Sequence, residues 1–207
     1  GYTFAGWTIN SDGTADTEPW IAGKTYTWAY VDRQYGIKGT NLTLYAIWKA
    51  NTYTITLNNQ SATSKGTEKA YYGYNTTKTL NGVLCYYYTN SSLTSCLSGG
   101  YNITKPTRTG YTFGGYYTGT NGSGTQYVDK NGKFVNDIYK TIGDKTLYAK
   151  WIINSYSFKL VKGANIAKIY YKVGNDTNYT ESLESVNIKL NYNTAYSYYA
   201  VSNSGYT

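Results

Sequence analysis

Apolar and polar residues alternate along several short stretches of this chain. Tyr53, Ile55 and Leu57 are separated by Thr52, Thr54 and Thr56, which gives one apolar and one hydroxylated face. Val186, Ile188, Leu190 and Tyr192 alternate with Asn187, Lys189 and Asn191 in the same way. A period of two is the mark of a half-buried antiparallel strand. Leu44, Ala46 and Trp48 fall on one face of such a strand, as do Leu147, Ala149 and Trp151. Asn131-Gly132, between Val128 and Phe134, is a hairpin-turn signal. Helical periodicity is scarce. Only Glu181–Leu190 and Asp129–Ile142 could hold a short helix, with Asp137-Ile138-Tyr139 the better candidate. The pattern predicts a mainly β chain with antiparallel or mixed sheets.

The strand-like segments recur. Gly1-Tyr2-Thr3-Phe4-Ala5-Gly6-Trp7-Thr8 returns as Gly110-Tyr111-Thr112-Phe113-Gly114-Gly115-Tyr116-Tyr117. Leu44-Tyr45-Ala46-Ile47-Trp48 returns as Leu147-Tyr148-Ala149-Lys150-Trp151. Asn51-Thr52-Tyr53-Thr54-Ile55 is echoed by Asn154-Ser155-Tyr156-Ser157-Phe158. Trp48 and Trp151, like Tyr53 and Tyr156, lie 103 residues apart, whereas Gly1 and Gly110 lie 109 apart. The difference is taken up by extra residues in the first copy. A third Gly205-Tyr206-Thr207 follows.

These motifs resemble the Listeria–Bacteroides repeat, also called the internalin-type B repeat. Its pattern of Pro-x-Arg-x-Gly-Tyr-x-Phe followed by Leu-Tyr-Ala-x-Trp is similar to Pro106-Thr107-Arg108-Thr109-Gly110-Tyr111-Thr112-Phe113 and then Leu147-Tyr148-Ala149-Lys150-Trp151. Tyr116 stands where the family usually has Trp. The resemblance covers residues 1–151 and thins out over 152–207. It implies β-grasp-like modules, with at most one short helix each, in a tandem elongated array of a secreted bacterial surface protein. It implies no defined ligand. On this reading, residues 1–48 are the C-terminal half of a first repeat. Residues 49–151 are a complete module with an insertion, and residues 152–207 are the N-terminal half of a further β module. Each end would then be an unfinished module, either a window of a longer chain or an edge that another copy completes.

Composition adds mainly exclusions. The 207 residues include 28 Tyr, no His and no Met. Without His there is no Ser-His-Asp or Cys-His catalysis and no His-ligated metal. No carboxylate spacing points to acid–base work, so no enzyme, metal or cofactor is expected. The formal charge is +8, yet the basic residues are scattered and only Arg33 and Arg108 are arginine. Nucleic-acid readers concentrate Arg, so that partner is not expected. No apolar run reaches the ~20 residues of a membrane helix.

Candidate residues follow. Cys85 and Cys96 are the only cysteines. A disulfide closing the loop between them suits an extracellular compartment, and two buried thiols are the alternative. The repeated aromatics Phe4, Trp7, Trp48, Phe113, Tyr116 and Trp151 are expected to fill the repeat core. Trp20 and Trp28 lie outside the shared motif, and Tyr86 and Tyr88 lie in a Tyr run, so these four are candidate ligand contacts. Asp12, Asp16 and Glu18 crowd beside Gly13, though without a calcium-loop spacing. Two functions follow. One is a structural segment of a bacterial surface fibre or adhesin stalk, flanked by its own repeats and self-associating head to tail by strand complementation. The other is a module binding host glycans or acidic cell-wall polymers.

Overall fold

The computed structural model describes residues 1–15, 20–21, 23–36 and 41–206. The chain is mainly β and divides into two compact units. One comprises Gly1–Leu57, Lys69–Ile103 and Lys133–Leu147; the other comprises Asn58–Glu68, Thr104–Gly132 and Tyr148–Thr207.

In the first unit, β1 (Tyr2–Thr8) pairs antiparallel with β2 (Tyr45–Ala50). A bulge between Phe4 and Gly6 shifts the register, so Phe4 faces Trp48 and Trp7 faces Ala46. Trp20 joins the other edge of β1, its backbone exchanging two hydrogen bonds with Trp7 at 2.8 and 2.9 Å. An eight-residue helix, α1 (Trp28–Tyr35), follows. The Thr27 side chain accepts from the Tyr30 amide at its start, and Gly36 closes it in the left-handed conformation. Next come β3 (Thr52–Asn58) and β4 (Lys69–Gly73), paired antiparallel with Ile55 opposite Ala70. Ile55, Leu57, Ala70 and Tyr72 are buried, as the alternation of the chain requires. A small hairpin, β5 (Lys78–Leu80) with β6 (Val83–Cys85), turns at Asn81-Gly82, both at positive φ. That is the residue pair a two-residue type I′ turn favours.

In the second unit, β7 (Tyr111–Tyr117) pairs with the short β8 (Gln126–Val128) on one side. On its other side it pairs with residues 148–153 of β9 (Lys145–Ile153), the part of that strand in this unit. β10 (Ser155–Leu160) pairs antiparallel with β13 (Val186–Asn191), and between them β11 (Ile166–Val173) and β12 (Thr180–Ser182) form a hairpin. β14 (Tyr196–Ser202) flanks β11 on its other side. The largest sheet is five-stranded, in the order β4-β3-β9-β7-β8.

The same local plan occurs twice. Phe113 faces Trp151 and Tyr116 faces Ala149 across a bulge in β7, as Phe4 faces Trp48 and Trp7 faces Ala46. Val128 pairs with Tyr116 as Trp20 pairs with Trp7. Buried Val31 on α1 has its counterpart in buried Ile138, on a single 3-10 turn at Ile138–Lys140.

Several expectations are corrected. The helix at Trp28–Tyr35 was not among the candidates. Glu181–Leu190 holds parts of β12 and β13 instead, and Asp137-Ile138-Tyr139 lies at the 3-10 turn. Asn131-Gly132 makes a turn, with the Gly132 amide donating to Asp129 O. It closes no hairpin, because Lys133 bridges to Asn102. Among the expected core aromatics, Phe113 and Tyr116 are buried, and Phe4 and Trp151 are half-buried. Trp7 and Trp48 are exposed, at 39% and 60%. The reason is visible at Trp151, whose indole N–H donates to the carbonyls of Asn59 and Gln60 in the loop after β3.

Candidate functional site

The insertion between β4 and β7 contributes to a concavity. It begins at the disulfide, which joins Cys85 to Cys96 as the compartment argument led one to expect. The Tyr71 and Tyr88 backbones exchange hydrogen bonds, both at 2.9 Å, and tie the loop to β4. Leu97 N donates to Tyr87 O. Gly100 O accepts from both the Tyr86 and Tyr87 amides. Gly100 sits at φ +84°, and a Cβ there would collide with the Leu84 carbonyl, so only glycine lets the two strands of the loop pass so closely. Phe134 N donates to Tyr101 O, bringing the segment after Gly132 alongside.

The result is a cavity of about 380 Å3 lined by Tyr86, Tyr87, Tyr101 and residues 133–137 and 139. Tyr87 and Phe134, both buried, stack at 3.9 Å between ring centres and make its floor. Tyr86 and Tyr139 meet edge to face at 5.3 Å. The Lys133 ammonium stands 4.9 Å over the Tyr101 ring, a cation–π contact. Lys140, just beyond the cavity, donates to the Asp137 carboxylate at 2.7 Å, which raises the Lys140 pKa. The Tyr87 hydroxyl donates to Asn136 O, and burial drives its pKa well above the usual phenol value.

The four candidate contact residues separate. Tyr86 lines this cavity. Tyr88 does not: its ring is buried with Cys85 and Leu93, and its hydroxyl donates to Cys85 O. Trp20 is also buried, at 6% exposure, stacked on Tyr35 and packed against Tyr26. Its place is that of Val128 in the second copy, so it belongs to the shared framework rather than to an insertion. Trp28 is exposed on the first turn of α1. Tyr101, Lys133 and Tyr139 were not singled out in the sequence, because they lie outside the Tyr runs and meet through long-range backbone bonds, Phe134 N to Tyr101 O and Asn75 N to Tyr139 O.

A second concavity, against Tyr2 and Trp48, is apolar and belongs to the exposed face of β1 and β2. A third lies among Leu160, Ile166, Ile169 and Tyr199. Among the described residues, no group of three or more Cys, Asp or Glu could hold a metal ion. Asp16 and Glu18, of the acidic cluster near Gly13, lie outside the described residues, while Asp12 accepts from Thr14 at 2.9 and 2.7 Å. Among the described residues, no helix is long and apolar enough to cross a membrane.

The repeated register, bulge and closing aromatic strand define a small β repeat module. Residues 88–150 match the family model of the Listeria-Bacteroides repeat domain. The matched stretch runs from inside the disulfide loop to Lys150 in β9, and so contains Tyr101, Lys133 and Tyr139 of the cavity. Neither a curated protein nor a solved structure matches the chain.

Proposed function

We propose that this chain is a structural spacer from a secreted bacterial surface protein, in which repeat modules follow one another in series. Residues 49–151 are one module, 1–48 the second half of another and 152–207 the first half of a third. The strand order β4-β3-β9-β7-β8 supports a β-grasp-like module, since in module numbering it reads 2-1-5-3-4. The role is mechanical, to extend and present, and needs no catalytic group.

One observation supports this reading: the junctions at Asn51 and Asn154 are built from the same parts. Asn51 N donates to Gly1 O and Asn51 O accepts from Tyr74 N, both at 2.9 Å. Asn154 N donates to Gly110 O at 2.9 Å and Asn154 O accepts from Tyr192 N at 2.8 Å. The Thr3 hydroxyl bonds the Asn51 side chain at 2.5 Å, and Thr112 bonds Asn154 at 2.7 Å. Tyr2 meets Tyr74 edge to face, as Tyr111 meets Tyr192. On this reading the Gly-Tyr-Thr motif of one module clasps, through a single Asn, the tyrosine that follows β4 or β13 in the next. A linker meant to be flexible would be rich in Gly and Ser and would fix no such bonds.

Amide relaxation of the 207-residue chain tests the spacer. A common correlation time for β7, β9, β10 and β13 is expected. Independent, faster tumbling of β10 and β13 would overturn it.

Head-to-tail self-association is the finer form of the proposal. β2 pairs only with β1, and β10 only with β13, among the described residues. Their counterparts β9 and β3 are neighbours in the five-stranded sheet. Strand addition between copies would restore that pairing. Light scattering should then show mass rising with concentration for the full chain but not for a variant lacking residues 1–48. A concentration-independent monomer mass for both removes self-association and leaves the spacer.

A further inference from the structure

We infer that the cavity on the disulfide loop is a carbohydrate site that takes an uncharged hexopyranose, alone or at the end of a glycan chain. Its size is the first reason. About 380 Å3 lies near the lower end of the range for small-ligand sites, room for one or two sugar rings. Its surface is the second. Tyr86, Tyr101 and Tyr139 are half-buried, so each is fixed by packing yet reaches the cavity. Such rings are rigid and amphipathic and give contact area at small entropic cost. The rim is polar, with exposed Lys133, Asn136 and Asp137. A pyranose has this same division: apolar C–H faces to lie on aromatic rings, and a girdle of hydroxyls to meet carboxylate, amide and ammonium groups.

Charge is the third reason. The Lys140 ammonium is paired with Asp137, and Lys133 stands over the Tyr101 ring. One acid and two amines make no basic cluster, and no Arg is near; Arg33 and Arg108 are the only two in the chain and neither lines the cavity. A polyanion would find little here to replace its hydration. The floor is also pre-formed. The disulfide, the double acceptor at Gly100 and the Tyr87–Phe134 stack hold the loop without a ligand, which lowers the ordering cost of binding.

The test uses the full chain and free sugars: glucose, galactose, N-acetylglucosamine and their β-linked disaccharides, read by saturation-transfer NMR and titration. At least one is expected to bind. Tyr101→Ser and Tyr139→Ser should each weaken it at least tenfold, and Lys133→Ala severalfold. Tyr198→Ser, on β14, should leave it unchanged. Lys133 is exposed, so its variant keeps the test decisive if a Tyr variant fails to fold. No saturation transfer to any sugar, or binding that survives the Lys133 and Tyr substitutions, overturns the assignment. A response confined to a glycerol-phosphate polymer and abolished by salt overturns it too, in favour of a charged ligand.

Discussion

Trp48 and Trp151 close the same motif, and their surroundings give them different weight. Trp151 is half-buried against Phe113 at 5.8 Å and donates to two carbonyls, whereas Trp48 is 60% exposed. Trp151→Ala is expected to cost ~3 kcal/mol in urea denaturation, the low end for an aromatic lost from a core. Trp48→Ala should cost under ~1 kcal/mol, as surface substitutions do. Equal losses would show that the motif acts locally and that the loop after β3 is irrelevant to it. The buried tyrosines carry a second expectation. Tyr116 donates to Asn59 at 2.5 Å in a closed interior, and burial raises the pKa of both Tyr116 and Tyr87 above the ordinary 10.0. The unfolded chain ionises these phenols first, so their contribution is complete below pH 10 and is lost as pH rises above it. Stability should fall by up to ~1.4 kcal/mol per pH unit for each. Spectrophotometric titration should find these phenols ionising only with unfolding. A titration complete in the folded chain would contradict their burial. The sequence shows 28 tyrosines but not which are inside. Tyr72, Tyr88 and Tyr116 can be buried because each hydroxyl finds an acceptor, and for Tyr72 and Tyr116 that acceptor lies far along the chain, at Thr141, Gly143 and Asn59.

At the level of elements, strands were legible wherever one face is buried. Ile55 and Leu57 in β3 and Ile188 and Leu190 in β13 are buried as their alternation requires. Helix α1 carried its signals too, Thr27 before it and Gly36 after it. They were outweighed because Trp28, Tyr30 and Tyr35 favour strands and the helix buries only Val31. Thr27→Ala should cost the helix ~1 kcal/mol. Faster amide exchange across α1 would register it, and unchanged exchange would mean that the cap is idle. Neither the Asn81-Gly82 hairpin nor the cavity was picked out beforehand. The hairpin strands are three residues each, too short for periodicity. The disulfide makes a direct prediction. Intact mass should show no alkylation before reduction and two additions after it. Two additions without reductant would mean free thiols and a loop with no covalent closure.

Across the whole molecule, repetition was the clearest signal in the sequence. What it did not reveal is the pair of alike hydrogen-bonded junctions at Asn51 and Asn154. The Gly of Gly-Tyr-Thr looks like a turn residue, but a Cβ on Gly1 would collide with the Tyr74 ring, and one on Gly110 with the Tyr192 ring. Glycine leaves room for the Tyr74 or Tyr192 ring to lie on the backbone. Gly110→Ala therefore has two effects: a strained left-handed residue at φ +77°, and expulsion of the Tyr192 ring. Gly143→Ala supplies the control, since Gly143 has φ +86° with nothing within 4 Å of its Cβ position. Both variants should lose about 1 kcal/mol or more of stability from backbone strain. Only Gly110→Ala should loosen the clasp around Asn154, and limited proteolysis of the folded chain should then cut there faster than in the parent. If both variants are cut at Asn154 at the parent rate, the joint does not hold the modules together. The repeated hydrogen bonds would then be local turn geometry, and the spacer would have to be a flexible one.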